Sequence, residues 1–235
     1  MLIRYLLLSI WFLVMPLEAN QAKGEATNPQ LTPILDNKGW RLWRESQALS
    51  LYYRDFKNTP LIEVKVQAKL TSSLAGFLLF LQDYPMIPNW LERAESSELI
   101  RQISDTENLF ITRFKGVWPI SKREMIIRSQ YWQNPDLSVE LKAQDASHEL
   151  GITNDIIRIK LIRSHWMLKP ITKGQLLVTH TIMADPKGCL PIWLVNQVSL
   201  RAMWASLQAM QQQLPLSPWQ SMTIPWIQEF EANAN

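Results

Sequence analysis

The sequence predicts an α+β fold in which a curved antiparallel β-sheet wraps around one long C-terminal α-helix. Three observations predict it. Apolar and polar residues alternate along one stretch, with Ile62, Val64, Val66, Ala68 and Leu70 on one face and Glu63, Lys65, Gln67 and Lys69 on the other, as in a half-buried strand. From Ser97 to Ala184 one strand-like run follows another through short polar turns, the pattern of a meandering antiparallel sheet. After the turn Asp185-Pro186-Lys187-Gly188, Pro191 opens a run with no helix breaker until Pro215, which reads as a single long helix.

At 235 residues and 47% hydrophobic, the chain is long enough for one sizeable core and short for two. Residues 1–22 have the order of a secretory signal peptide: Arg4, an apolar run from Tyr5 to Met15, then Pro16 and small or polar residues. That run is too short to span a bilayer. Cleavage after Ala19 or Ala22 and retention as an N-terminal anchor are both open. Cys189 is the only cysteine, so no intrachain disulfide forms and burial must stabilise the fold.

Residues 23–33 read as a polar spacer. Ile34 to Ala48 is expected to be an amphipathic helix carrying Leu35, Trp40, Leu42 and Trp43, interrupted by Gly39. Strands are expected over Leu49–Phe56 and Leu61–Leu70, turned at Asn58-Thr59-Pro60. Ser72 or Ser73 then caps a helix to Asp83, with Leu74, Phe77, Leu78 and Leu81 on one face. Pro85 and Pro88 end that run, and Asn89-Trp90-Leu91 leads into another strand. Six strands follow, over residues 97–104, 108–117, 124–133, 137–144, 156–168 and 174–184. Residues 215–235, with Trp219 and Trp226 among prolines, read as a surface strap with a disordered end.

Lys and Arg exceed Asp and Glu by 24 to 21, but no run of basic residues marks a nucleic-acid surface. No G-x-S-x-G elbow and no Gly-rich phosphate loop is present. Three scattered histidines, His148, His165 and His180, and one cysteine give no metal-ligand spacing. His148 lies near Asp145 and Glu149 and is an acid–base candidate.

The long helix has two apolar faces. Leu200, Met203, Leu207, Met210 and Leu214 form a bulky stripe with Trp204 at its edge, while Val195, Val198, Ala202, Ala205 and Ala209 form a small-residue stripe roughly opposite. Two readings stand side by side. The helix is buried on both sides in a packed core, or the small stripe walls an apolar cavity that admits an apolar guest.

Several landmarks, in order and spacing, resemble the START lipid-transfer domain family, whose members share a helix-grip fold. They are Leu51-Tyr52-Tyr53-Arg54, Trp90, the run Trp118-Pro119-Ile120-Ser121-Lys122-Arg123-Glu124, Ile157-Arg158, Trp166 to Pro170, Asp185 to Gly188, Leu190-Pro191 and Asn196-Gln197. The resemblance spans Trp40 to Leu214 and implies a START-like domain over residues 34–214. It implies a non-enzymatic, monomeric carrier that binds one hydrophobic lipid (sterol, hopanoid, phospholipid or fatty acid) in an internal cavity and transfers it between membranes, touching their surface transiently. No nucleic acid, cofactor or metal is expected. Joined to the signal peptide, this implies export, to the bacterial periplasm.

By the same resemblance the gate is residues 116–122, with Trp118 and Ile120 over the mouth, working against the final helix. The expected wall is Phe114, Ser129, Val198, Ala202, Ala205 and Ala209, with Trp90 near the closed end. Phe114 and Ser129 stand where some sterol carriers place a carboxylate and an arginine, which implies a more apolar pocket. Arg113 and Arg128 are one residue away, and a one-residue slip would exchange the faces. Arg123-Glu124 replaces the family's usual Arg-Asp, a structural pair expected to bind neighbours and pin the start of the next strand. The rival implied by related folds is a cavity enzyme of the polyketide cyclase or aromatase type, using His148, Arg128 or a strand carboxylate for proton transfer.

Overall fold

Alternation along each strand decides which side chains reach the inner face of the sheet. The computed structural model describes residues 39–56, 58–116, 120–151 and 154–231. The expected signal peptide, the spacer and Trp118 lie outside the described residues. Among the described residues there are ten strands: β1 (Arg41–Glu45), β2 (Leu49–Asp55), β3 (Ile62–Thr71), β4 (Ala94–Ser104), β5 (Glu107–Phe114), β6 (Arg123–Gln133), β7 (Val139–Asp145), β8 (Ile157–Arg158), β9 (Lys160–Thr172) and β10 (Gln175–Asp185). The helices are α1 (Leu74–Gln82), α2 (Ile87–Trp90) and α3 (Ile192–Gln213). The sheet runs β1-β2-β3-β10-β9-β7-β6-β5-β4, with every neighbouring pair on that path antiparallel; β8 pairs with β6 in parallel.

Pairing of β3 with β10 joins the two ends of the domain in mid-sheet and aligns Val64, Val66 and Ala68 with Ile182, His180 and Val178. These residues face the same way as Leu51 and Leu49 of β2. Over them pack Leu200, Trp204, Leu207 and Met210 of α3, Leu214 just after it, and Leu74, Phe77 and Leu78 of α1, in one continuous core. A smaller cluster of Leu109, Ile111, Ile126 and Ala146 lies on the opposite, convex face beneath Leu150. The fold is therefore an antiparallel sheet closed on a long terminal helix, of the helix-grip type.

Three expectations are corrected. Residues 41–45 are an edge strand, not part of a helix; residues 34–38 lie outside the described residues. Gly39 has φ of +75°, which breaks a helix at its start, and a five-residue run is too short for its period to separate strand from helix. Pairing with β2 decides between them. Trp90 ends the short helix α2 instead of leading into a strand, because Pro88 sits in the first turn of that helix, where a missing N–H costs nothing. The strand expected over 156–168 is two strands separated at Ile159, and they pair with different partners.

The C-terminal segment straps α1 to the sheet. The Glu229 carboxylate accepts from the backbone N–H groups of Leu74 and Ala75, at 2.9 and 2.8 Å, at the positive end of that helix. Trp219 Nε1 donates to Asp83 at 2.9 Å, Trp226 Nε1 donates to the Tyr131 hydroxyl at 3.1 Å, and Ile224 and Ile227 join the core.

Candidate functional site: an apolar cavity under the terminal helix

A cavity of about 260 Å³ lies between the concave face of the sheet and the first part of α3. One wall is aliphatic, from Ile62 and Val64 of β3 with Ile182 and Ala184 of β10. Phe114 of β5 and Met125 of β6 face it, and α3 closes it with Val195, Val198, Ala202 and Met203. Val195, Val198 and Ala202 are spaced by three and four residues, so they share one face, with Met203 at its edge. Ile120, Pro186 and Leu190 lie at its mouth, and Leu91, Glu92 and Arg93 at the turn before β4.

Two local devices shape that mouth. Ser206 Oγ accepts from the Glu92 N–H at 2.9 Å while donating to the Ala202 carbonyl at 2.8 Å, which fixes the turn against α3. At Gly116 a Cβ would lie 2.9 Å from Lys122 N and 3.2 Å from Ile120 O, so only glycine allows the two ends of the 116–122 loop to meet.

The expected wall residues separate by position. Phe114, Val198 and Ala202 line the cavity, as does the expected gate residue Ile120. Ala209 and Trp90 line an adjoining recess, and Ala205 lines neither. Ala209 continues the small stripe about 10 Å further along the helix, across that recess from Trp90, whose ring lies 5.5 Å from Phe80. Ser129 sits on the concave side between Asn108 and Ala143, away from the cavity lining. Arg113 pairs with Glu98 and Arg128 with Glu107, so neither enters the cavity.

Arg123 and Glu124 bind neighbours on opposite sides of β6. Arg123 is 6% exposed, and its guanidinium donates to the carbonyls of Ser121, Pro186 and Lys187, at 2.8, 3.1 and 3.4 Å. Burial pushes its pKa down. Glu124, fully buried, accepts from Arg158 at 2.5 Å, and Arg158 also donates to the carbonyls of Ser147, Leu150 and Gly151. The first anchors the turn that leads to α3, and the second anchors the loop over the convex face.

His180 is buried with its ring stacked on Trp166 at 3.7 Å and its Nε2 3.1 Å from Ser164 Oγ. Burial, with a smaller contribution from His165, lowers its pKa to about 3, so it is neutral. His148 is exposed in the 147–149 turn, off the cavity. The titratable side chains that line the cavity are Glu92, Arg93, Lys115 and Arg123. Sequence patterning already marked Ile62 and Val64 as inward-facing; no local signal marked Arg93 or Lys115, which β4–β5 pairing brings together. Among the described residues no cluster of His, Cys, Asp and Glu forms a metal site, and no helix is long and apolar enough to cross a membrane.

The START domain model matches residues 22–219. The chain belongs to the START domain family. At 24% identity and a TM-score of 0.67, it is similar in fold to a STAR-related lipid transfer protein (fragment 25–204) from Xanthomonas axonopodis, with 75% of this chain and 98% of that one covered. Human StAR-related lipid transfer protein 5 has the same fold at 18% identity and a TM-score of 0.66, covering 77% and 88%. An uncharacterized protein of Pseudomonas aeruginosa is 18% identical over 157 residues, 67% of this START chain and 77% of that protein.

Proposed function

We propose that this START domain binds a single hydrophobic lipid in the cavity beneath α3 and carries it between membranes as an exported, periplasmic protein. The cavity carries the reading: a space of about 260 Å³ walled by aliphatic side chains, at a place where a packed core would have none. Its need is energetic. Exposing an acyl chain of about sixteen carbons to water costs on the order of 12 kcal/mol at roughly 0.8 kcal/mol per methylene, and an apolar enclosure offsets most of that. Export rests on the signal-like order of residues 1–22. The gate is the 116–122 loop, opening against the start of α3. Catalysis in the manner of a cyclase is disfavoured, since His148 and Arg128 lie off the cavity.

The test is transfer of a fluorescent lipid between vesicles, with native mass spectrometry of the protein purified from its own cell envelope. Ala202→Trp places an indole in the cavity and should abolish both occupancy and transfer while leaving the circular dichroism spectrum unchanged. A folded Ala202→Trp protein with wild-type occupancy would sink the cavity reading.

A further inference from the structure

The charges around the cavity are not balanced. Three cations, Arg93, Lys115 and Arg123, line it against one acid, Glu92. The other carboxylates near the mouth already have partners: Glu95 binds Lys122 at 3.1 Å and Asp185 binds Lys187 at 2.8 Å. Arg123 is the telling case. It is almost fully buried, and its three acceptors among the described residues are backbone carbonyls; no carboxylate among those residues lies within 4.0 Å of it. A buried charge is ordinarily compensated by an opposite one, and a guanidinium with five N–H donors keeps two beyond those three bonds.

Arg93 and Lys115 sit across from each other where β4 and β5 end, joined by the 2.9 Å bond from Lys115 N–H to the Arg93 carbonyl. Both border the cavity and the recess beside it, and neither forms an ion pair among the described residues. Arg93 has φ of +66°, a left-handed conformation disfavoured for a side chain of this size. Such strain persists where its surroundings hold it, and it clusters at ligand-binding sites. The cavity volume, about 260 Å³, falls just below the usual range of ligand pockets. It suits one chain better than two.

We infer that the guest is a single-chain amphiphile with an anionic head group, a carboxylate or phosphate: the tail lies among Val64, Ile182, Met125 and Ala202, and the head lies at the lip between Arg93 and Lys115, in the field of Arg123. This rests on the carrier reading above and narrows it to a head-group chemistry. Lysine and arginine differ in their parts. Arg93 can grip two oxygens at once, whereas Lys115 acts as a point charge.

Retention of radiolabelled palmitate, hexadecyl phosphate and hexadecanol by the full chain tests it. Wild type should hold one or both anions about tenfold better than the alcohol, the worth of one charge-assisted hydrogen bond. Arg93→Gln/Lys115→Gln should erase that preference, so that the anions and hexadecanol are held alike by the variant, while the equally charge-depleted Lys69→Gln/Lys173→Gln should keep it. Inorganic phosphate in large excess should displace none of the three. Acid and alcohol held equally by wild type, or a preference that survives the Arg93/Lys115 double variant, would overturn the head-group site and leave the carrier standing. Retention of none of the three would overturn both.

Discussion

The two halves of α3 are one continuous helix in two different surroundings. In its second half Trp204, Leu207 and Met210, with Leu214 just past its end, are each 4% exposed or less, and they join α1 and the deep part of the sheet in one core. In its first half only Leu200 joins that core, while Val195, Val198 and Ala202 leave space between themselves and β3 and β10. Trp193, one turn from the cavity mouth, is 67% exposed. The helix also begins without a side-chain cap, whereas the turn after it is held by Gln220, whose amide donates to the Leu214 carbonyl at 3.0 Å. The difference teaches that side-chain volume along one amphipathic element divides the interior: large residues make it a core, small ones make it a container.

The largest effect that would break this contrast is on stability. Leu207→Ala removes a 3% exposed side chain from the packed half and should cost about 2–5 kcal/mol in denaturant unfolding. A cost below about 1 kcal/mol would mean that the second half is as loosely packed as the first.

An intermediate effect comes from pH. His180 is neutral in the folded protein with its pKa lowered to about 3, while in the unfolded chain it titrates near 6.5. The unfolded state therefore takes up a proton first as pH falls. Stability from this residue is complete above about pH 6.5 and drains away toward pH 3, at up to about 1.4 kcal/mol per pH unit. Between pH 6.5 and 5 the loss should reach about 2 kcal/mol, and His180→Gln should remove it. Melting curves of the two proteins that fall in parallel over that interval would show that the packed half admits water to the imidazole.

The smallest effect sharpens the other side. Ala202→Leu adds volume where the cavity has room, so its melting temperature should stay within a few degrees of wild type, whereas overpacking a dense core costs about 1–3 kcal/mol. A cost at the upper end of that range would mean that the first half of α3 has no space to give.

Much of this was legible in advance, for reasons that differ by element. Period-two alternation marks β3 because one of its faces is buried and the other wet, and the sheet then places Val64 and Ile182 on the inner side. The two stripes of α3 were visible because a helix repeats its faces every three to four residues. The short edge strand β1 was misread because five residues carry too little period. Which stretch of the small stripe borders open space was not readable either. Ala202 lines the cavity and Ala205 does not, while Ala209 lines a separate recess with Trp90 of α2, and that division depends on where distant elements pack.

The sequence by itself determined the α+β class, the long terminal helix and the order of landmarks that marks a START domain, since these depend on local periodicity and on spacing along the chain. Tertiary structure alone decided that Arg123 would meet carbonyls more than sixty residues away at Pro186 and Lys187, and that Arg93 would face Lys115. It also decided where the void falls. A cavity is what neighbouring side chains leave unfilled, and no single segment of the chain records what its distant neighbours fail to occupy.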